Sequence, residues 1–353
     1  MTDTGARKAL LIIVTYNSYD LLPEISGSIR SFETDNPGNF AVVIENSGDH
    51  RVAEYIDANT GSDRILVQVS RTNDGFSHAV NAAYSLAQER WGSFDFVVLL
   101  NPDVLSAGRT ISELVNRAWH SSAAEYGIWS APLRNERGEF DKGCARREWN
   151  LRRLFSDLLG YPPLAKLLLT PSRHLSQREI ENDQSELAMV SGALMCIRSE
   201  VFADGLDTHL PMYLEDQEIC LRNLKNGFKI RLYPDLETIH IGGVSRKSSP
   251  NVQRALKIME NVEASVQCMC RVQGYSLTRV RPVVFCGGLA RLALAPIVAG
   301  FEMLFRKRNI SDELGWLTDQ LKLGYWSAWW AVRGKFHEHE ISLSEYFREY
   351  SRD

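Results

Sequence analysis

Ala9-Leu10-Leu11-Ile12-Ile13-Val14 is an unbroken apolar run closed by the polar cluster Thr15-Tyr16-Asn17-Ser18. Apolar residues without alternation suit a strand buried on both faces, as in a parallel sheet covered by helices. The pattern repeats: Phe40-Ala41-Val42-Val43-Ile44 stops at Glu45-Asn46-Ser47-Gly48, Ile65 to Val69 is a third run, and Phe94 to Leu100 a fourth that ends on Asn101-Pro102-Asp103. Between these runs the period changes. Leu21, Leu22, Ile25 and Ile29 recur at helical spacing between Asp20 and Phe32, and the pattern predicts further helices over Val52 to Ala58 and Gly75 to Gln88.

Alternation of strand and helix predicts an open α/β sheet with right-handed crossovers. Such sheets bind ligands outside the carboxyl ends of their strands. The polar clusters at 15–17, 45–47, 71–75 and 101–103 are therefore expected to converge on one crevice. From about residue 125 the texture changes. Ile128 to Leu133 reads as a strand, Asn135 to Glu139 as a hairpin turn, and Met189 to Ile197 as a strand interrupted by Ser191-Gly192-Ala193. Glu215 to Asn226 reads as a helix stopped at Gly227, followed by a strand from Phe228 to Tyr233. Beyond about 251 the chain reads as mostly helical and rich in Trp and Tyr.

With 353 residues, one large or two modest domains are expected, and 44% hydrophobic with 24% charged residues is ordinary globular composition. A formal net charge of −4 gives no global drive toward nucleic acid, so no nucleic-acid partner is expected. The six cysteines make neither a C-x-x-C zinc pair nor a disulfide framework, and read as reduced thiols in a cytosolic protein. The apolar run at 9–14 is too short for a signal peptide or a membrane span.

Four stretches carry candidate chemistry, each with a plainer alternative. Asp103 either caps a turn or, on a loop stiffened by Pro102, aims a carboxylate at a divalent cation bridging two phosphates. Asn73-Asp74-Gly75 is either a simple turn or a close approach to an anion, and Asn81, a poor helix former inside a helix, points to a tertiary hydrogen bond. The Glu215-Asp216 pair either favours the helix dipole or supplies a general base. His240, after a strand and before Gly242-Gly243 on the next turn of sequence, is either structural or a ligand.

In chain order, the stretches IIVTYNS, VVIENSG, NDGFSHAVNAA, VVLLNPDV, MVSGALMCIRSEVF, MYLEDQEICLRNLKNGFKI and IHIGGVSRK resemble the inverting glycosyltransferases of family 2, from about residue 9 to 250. The set looks most like the rhamnosyltransferase-type branch, which builds bacterial cell-wall or surface polysaccharides, often from dTDP-rhamnose. The resemblance implies a GT-A fold, a Rossmann-like mixed sheet flanked by helices, with a donor half at about 1–125, an acceptor half at about 126–250 and a helical region at 251–353. It implies that Thr15, Tyr16 and Asn17 line the base pocket, that Glu45 contacts the base or ribose, and that Asn73, Gly75, Phe76 and Asn81 shape the nucleotide cleft. Asn101 replaces the first Asp of the usual Asp-X-Asp motif, leaving Asp103 and His240 to ligate Mg²⁺ or Mn²⁺. Ser191, Gly192 and Ala193 would line the acceptor side, with Asp216 as base and Glu215 supporting it. The implied donor is a dTDP- or UDP-sugar, with UDP-galactofuranose and UDP-glucose as alternatives to dTDP-rhamnose. The implied acceptor is lipid-linked or a glycan.

Residues 146–174 mix Arg146, Arg147, Arg152, Arg153, Lys166 and Arg173 with leucines, and read either as a packed helical excursion or as an interfacial element near a polyprenyl-diphosphate acceptor. Pro282 to Phe305 is long enough to span a membrane but is interrupted by Arg291, Glu302 and Pro296, which favours a buried or membrane-surface helix. Trp316, Trp326, Trp329 and Trp330, near Lys322 and Arg333, suit a membrane surface, a small helical core or a homo-oligomer contact. The expected location is cytoplasmic, at the inner face of the plasma membrane. Two further readings stay open: a catalytically silent nucleotide-sugar-binding scaffold, and a nucleotidyltransferase, against which IIVTYNSYD lacks the Gly-rich phosphate loop.

Overall fold

A computed structural model of the chain describes residues 7–105, 107–120, 125–159, 173–210, 214–241, 263–306 and 310–333. The expectations placed on Lys166, on the leucines of 164–169, on Met212 and Tyr213, and on Gly242, Gly243 and Ser245 lie outside these residues, as do the side chains of Trp316 and Trp326. Two compact units are present: one of residues 7–147 and 174–241, the other of 148–159, 173, 263–306 and 310–333.

The first unit is built on the apolar runs. Strand β1 (Ala9–Thr15) is buried along its whole length. Helix α1 (Leu22–Asp35) follows a turn of 3₁₀ helix and carries Pro23 in its first turn, where a missing N–H costs nothing. Strand β2 (Asn39–Glu45), helix α2 (Arg51–Thr60), strand β3 (Ile65–Val69), helix α3 (Phe76–Trp91) and strand β4 (Phe96–Leu100) complete the alternating half. Next come β5 (Val104–Leu105), α4 (Gly108–His120), β6 (Tyr126–Ser130), β7 (Leu133–Arg134) and β8 (Ala145–Arg146). Helix α5 (Leu151–Leu159) belongs to the second unit. The first unit resumes with α6 (Gln177–Asn182), held by a Ser176/Glu179 capping box, then β9 (Met189–Val190), β10 (Leu194–Arg198), α7 (Ser199–Phe202), α8 (Glu215–Lys225), β11 (Lys229–Leu232) and β12 (Thr238–His240).

Among the described residues, seven strands form one sheet in the order β11-β6-β10-β4-β1-β2-β3. The pairs β1/β2, β1/β4 and β2/β3 are parallel, which is why these strands read as continuous apolar runs. Strand β10 runs antiparallel to both β4 and β6, making the sheet mixed as the resemblance implied. Two small sheets lie outside it, β5-β12-β7 and β8-β9. The core of the large sheet includes the fully buried rings of Phe32, Trp129 and Phe202.

The second unit contains α5, α9 (Glu263–Arg271), α10 (Leu277–Arg306) and α11 (Ile310–Arg333). The sequence reading placed residues 148–159 in the acceptor half, but α5 packs with the C-terminal helices. Its apolar stripe of Leu154, Leu158 and Leu159 is buried, and Leu158 lies where a Cβ on Gly287 of α10 would fall, 2.6 Å from its own Cβ. Gly288 and Gly324 allow α10 and α11 to approach backbone to backbone, because a Cβ on Gly288 would sit 2.7 Å from the Gly324 carbonyl oxygen.

Residues Leu277–Leu304 are long and apolar enough to cross a membrane, yet Arg291 and Glu302 within them are both buried in this unit. The Arg291 guanidinium donates to the carbonyls of Asp157 (2.6 Å) and Leu158 (2.5 Å) at the end of α5, and to Gln320 Oε1 (3.1 Å). It thus satisfies helix-terminal acceptors that have no partner in their own helix. Burial pushes the guanidinium down to about 10, against the opposing pull of Asp157. We expect Arg291→Ala to destabilise this unit by about 2–4 kcal/mol, because it strands those carbonyls and opens a cavity. Urea unfolding followed by circular dichroism measures the loss.

Candidate active site

Register brings the first polar clusters together. Thr15 lies opposite Glu45 in the β1/β2 ladder, and Thr15 Oγ1 donates to Glu45 Oε2 at 2.6 Å. Glu45 Oε1 accepts the Ser47 N–H at 2.7 Å. The Asn46 side chain donates to Asn73 Oδ1 (3.0 Å) and to the Gly75 carbonyl (3.3 Å), while Asn73 Oδ1 also accepts the Gly75 N–H (3.1 Å). Clusters 15–17, 45–47 and 73–75 therefore form one hydrogen-bonded rim at the carboxyl ends of β1 and β2. Gly75 holds φ +99°, closed to most side chains, and starts α3; Phe76 beside it is half-buried. Asn17 takes φ +53°, a left-handed conformation that Asn tolerates, and Tyr16 before it is 39% exposed, open to stack on a ligand.

Two residues expected to contact the nucleotide are engaged within the fold. Glu45 is 0% exposed and holds the 45–47 turn from beneath. Asn81 uses both ends of its amide on Leu206, donating to its carbonyl (2.9 Å) and accepting from its N–H (2.8 Å). The tertiary hydrogen bond expected of Asn81 is present, and it leaves the side chain committed to the fold. Asn46, which the sequence reading passed over, does the rim-building instead.

The Asn-Pro-Asp stretch is a β-turn: the Val104 N–H donates to the Asn101 carbonyl at 3.2 Å, with Pro102 at the position whose φ proline pre-sets. The turn is pinned twice. Asn101 N–H donates to the Ala193 carbonyl (2.9 Å), and the Asp103 carbonyl accepts the Ile241 N–H (3.0 Å). Val104 pairs with His240 in the small sheet, so Asp103 and His240 meet: Nε2 to Oδ1 is 3.3 Å, and both side chains are largely buried. On the other face of the ring, His240 Nδ1 lies 3.6 Å from Asp141 Oδ2. Asp141 follows the 135–139 hairpin turn, and its other oxygen accepts the Gly143 N–H (2.8 Å). No motif marked Asp141 in the sequence; the parallel pairing of β7 with β12 delivers it.

Burial pulls the His240 imidazolium down, but the carboxylates of Asp103 and Asp141 on either side of the ring outweigh that and raise it to about 9. The Asp141 carboxyl is lowered, chiefly by His240. An imidazole and a buried carboxylate are ligand types that suit a divalent ion, and a second carboxylate, Asp141, lies on the other face of the ring. His240 Nδ1 is itself buried without a hydrogen bond of good geometry. Among the described residues no three such side chains form a ready-made cage. An ion bridging a diphosphate does not need one, because phosphate oxygens and water complete its shell.

Asp216 is tied to the same turn from the other side. Its Oδ2 accepts the Gly192 N–H (3.3 Å) and its Oδ1 the Gln217 N–H (2.8 Å). Ser191, Gly192 and Ala193 link β9 to β10, with Ala193 N–H donating to Ser191 Oγ (3.2 Å). Asp216 therefore reaches Asn101 through two backbone steps, Gly192 and Ala193. Leu214, just before α8, is buried at φ +66°, ψ −1°, a left-handed conformation costing a side-chain-bearing residue about 1–2 kcal/mol. Such strain gathers at functional sites. Glu215, adjacent to Asp216, is half-buried in the first turn.

The profile described as glycosyltransferase like family 2 matches residues 7–258. The chain belongs to this family. No curated protein sequence matches it. Among solved structures, a mannosyltransferase from Pyrobaculum calidifontis in complex with GDP-Man and Mn²⁺ is 15% identical, with a TM-score of 0.54 over 94% of this chain and 89% of that one. Glucosyl-3-phosphoglycerate synthase from Mycobacterium tuberculosis with Mn²⁺, UDP and glucosyl-3-phosphoglycerate is 16% identical, with a TM-score of 0.45 over 76% of this chain and 81% of that one. TarS 1–349 from S. aureus is 13% identical, with a TM-score of 0.45 over 95% and 98%. The mixed sheet with its C-terminal helices is accordingly a GT-A fold.

In this family 2 member two outcomes follow from the geometry. A methyl added at Gly192 would sit 3.2 Å from Asp216 Cβ, so Gly192→Ala crowds Asp216 and shifts it by a few tenths of an ångström. We expect about a tenfold fall in turnover with donor binding little changed, read by sugar transfer or slow donor hydrolysis. His240 adds stability below about pH 6.5, its unfolded value, and loses it as pH climbs through about 9. The metal-free protein should therefore show a lower urea midpoint at pH 9.5 than at pH 6, and His240→Gln should flatten that difference.

Proposed function

We propose that the chain is a metal-dependent inverting glycosyltransferase that moves a sugar from a nucleotide-sugar to a hydroxyl of an acceptor. The observation that carries this reading is the Asp103–His240 pair, 3.3 Å apart and tied to the turn that also receives Asp216 through Gly192 and Ala193. The Pyrobaculum mannosyltransferase, which shares the fold, holds its GDP-Man together with Mn²⁺.

In this reading Asp103 and His240 hold Mg²⁺ or Mn²⁺, which when bound supplies positive charge to the diphosphate that leaves. Asp141, on the Nδ1 side of the ring, would favour the proton there and leave the Nε2 lone pair for the ion. The rim of Asn46, Asn73 and Gly75, braced from beneath by the buried Thr15–Glu45 hydrogen bond and with Tyr16 beside it, receives the nucleoside. Ser191, Gly192 and Ala193 line the acceptor side. Asp216 accepts the proton of the acceptor hydroxyl as its oxygen attacks the anomeric carbon from the face opposite the leaving group, and that single displacement inverts the centre. Glu215 supports Asp216 by adding negative charge beside it, which favours proton capture.

The finer reading rests on the order and wording of the motifs. Asn-Pro-Asp, Ser-Gly-Ala, Glu-Asp and His240 match the rhamnosyltransferase-type branch, so the proposed donor is dTDP-rhamnose and the proposed product a bacterial cell-wall or surface glycan. Ile297 and Leu304 on α10, 67% and 77% exposed, support a lipid-linked acceptor met at a membrane surface. A thermal-shift panel of nucleotide-sugars with Mn²⁺ identifies the donor, because a ligand of the native state raises the melting temperature by mass action. A dTDP-rhamnose response above UDP-glucose and UDP-galactofuranose is expected; no response to any nucleotide-sugar contradicts the proposal. Asp216→Asn should lower turnover about 10²–10⁴-fold and leave donor binding intact. Normal turnover by that variant would remove Asp216 from the role of base.

A further inference from the structure

Arg146, the last residue of strand β8, and Arg147 directly after it carry side chains that meet different fates. Arg147 is 4% exposed and fully paired: Nη2 binds Glu179 Oε1 at 2.5 Å and Nε binds Glu186 Oε2 at 2.6 Å. The Arg146 guanidinium makes no hydrogen bond or ion pair among the described residues, although its Nε is shielded from solvent. It stands at the edge of the Asp141 turn. A Cβ built on Gly143 would lie 3.7 Å from Arg146 Nη2 and 3.1 Å from Asp141 Oδ1. Its charge reaches Asp141 on one side and Cys220, one helical turn after Asp216, on the other. The strand itself is locked in place, since Arg146 pairs with Met189 and the Cys144 carbonyl accepts the Ser191 N–H at 3.2 Å.

A guanidinium cannot shed its proton, so it stays charged wherever the fold puts it. Holding that charge half-buried, with Asp141 nearby but no ion pair among the described residues, is unfavourable in the free protein. The same placement suits an anionic ligand, because the planar fork of arginine matches phosphate oxygens two at a time. Three carboxylates, Asp103, Asp141 and Asp216, would otherwise repel a phosphorylated substrate at this end of the sheet. We propose that Arg146 binds a phosphoryl group of a substrate, either the diphosphate of the donor or a phosphate carried by the acceptor. The proposal rests on the transferase reading above and adds to it the residue that reads substrate charge.

The test compares the full-length wild type with Arg146→Met, Arg146→Lys and Arg147→Met. Without ligand, Arg146→Met should melt at or above the wild-type temperature, whereas Arg147→Met should melt lower because it strands two carboxylates. Calorimetry then measures two affinities: UDP, GDP and dTDP with Mn²⁺, and inorganic phosphate added to protein saturated with the best of these. Arg146→Met should lose roughly 10–100-fold in one of the two, the scale of a charge-assisted hydrogen bond. Loss in the first assigns the donor diphosphate, and loss in the second a phosphate of the acceptor. If Arg146→Met also melts lower, Arg146→Lys decides: stability restored with affinity still weakened supports the proposal, and both restored together overturns it. Wild-type affinity of Arg146→Met in both titrations overturns this proposal alone, provided the wild type binds a nucleoside diphosphate with Mn²⁺. If the wild type binds none, the transferase reading fails and takes this one with it.

Discussion

The antiparallel pairing of β10 with β4, with Leu194 opposite Leu100, fixes where chemistry can occur in this chain. It places the turn before β10 against the turn after β4. The Ala193 carbonyl then accepts the Asn101 N–H, Gly192 offers its N–H to Asp216, and Pro102 holds Asp103 toward His240. A slip of one residue in that ladder would turn every side chain of β10 to the other face and break the Ala193–Asn101 and Gly192–Asp216 contacts. The parallel strands supply a rigid floor, and this one reversed strand joins the acid to the turn that carries the imidazole pair.

The electrostatics of the first unit follow from that gathering. Carboxylates from three separate segments, residues 103, 141 and 216, are drawn to one end of the sheet. Within the chain, His240 compensates two of them, and its imidazolium is raised as a result. Such an accumulation is unfavourable for a fold on its own terms and is the kind of cost that functional sites retain. Leu214 in a left-handed conformation adds to it directly before the acid. Elsewhere the unit satisfies its charges locally, as Arg147 does with Glu179 and Glu186, and Arg222 with Glu218.

Much of the fold was legible because β1, β2 and β4 are buried on both faces and so read as apolar runs; the edge strand β3 is only partly buried but also lies where its run predicts. Short strands set by tertiary pairing were not legible: β5, β8 and β12 have two or three residues each and no periodicity. Asp141 was missed for that reason, since its place depends on a hairpin returning beside β12. Glu45 and Asn81, expected to contact a ligand, each hydrogen-bond backbone groups of the fold, a use that sequence does not distinguish from binding. The membership of α5 was misjudged because chain proximity suggested one partner, whereas its stripe of Leu154, Leu158 and Leu159 is buried against another.

The central claim is that Asp103 and His240 together hold a divalent cation against a nucleoside diphosphate. Electron paramagnetic resonance of Mn²⁺, titrated into the protein with and without UDP, GDP and dTDP, measures this directly. The account predicts that one of these nucleotides tightens Mn²⁺ binding at least tenfold in the wild type, and that Asp103→Ala and His240→Ala each abolish the effect while Asp216→Asn retains it. Equal Mn²⁺ binding with and without every nucleotide, or coupling that survives the loss of both Asp103 and His240, would contradict it.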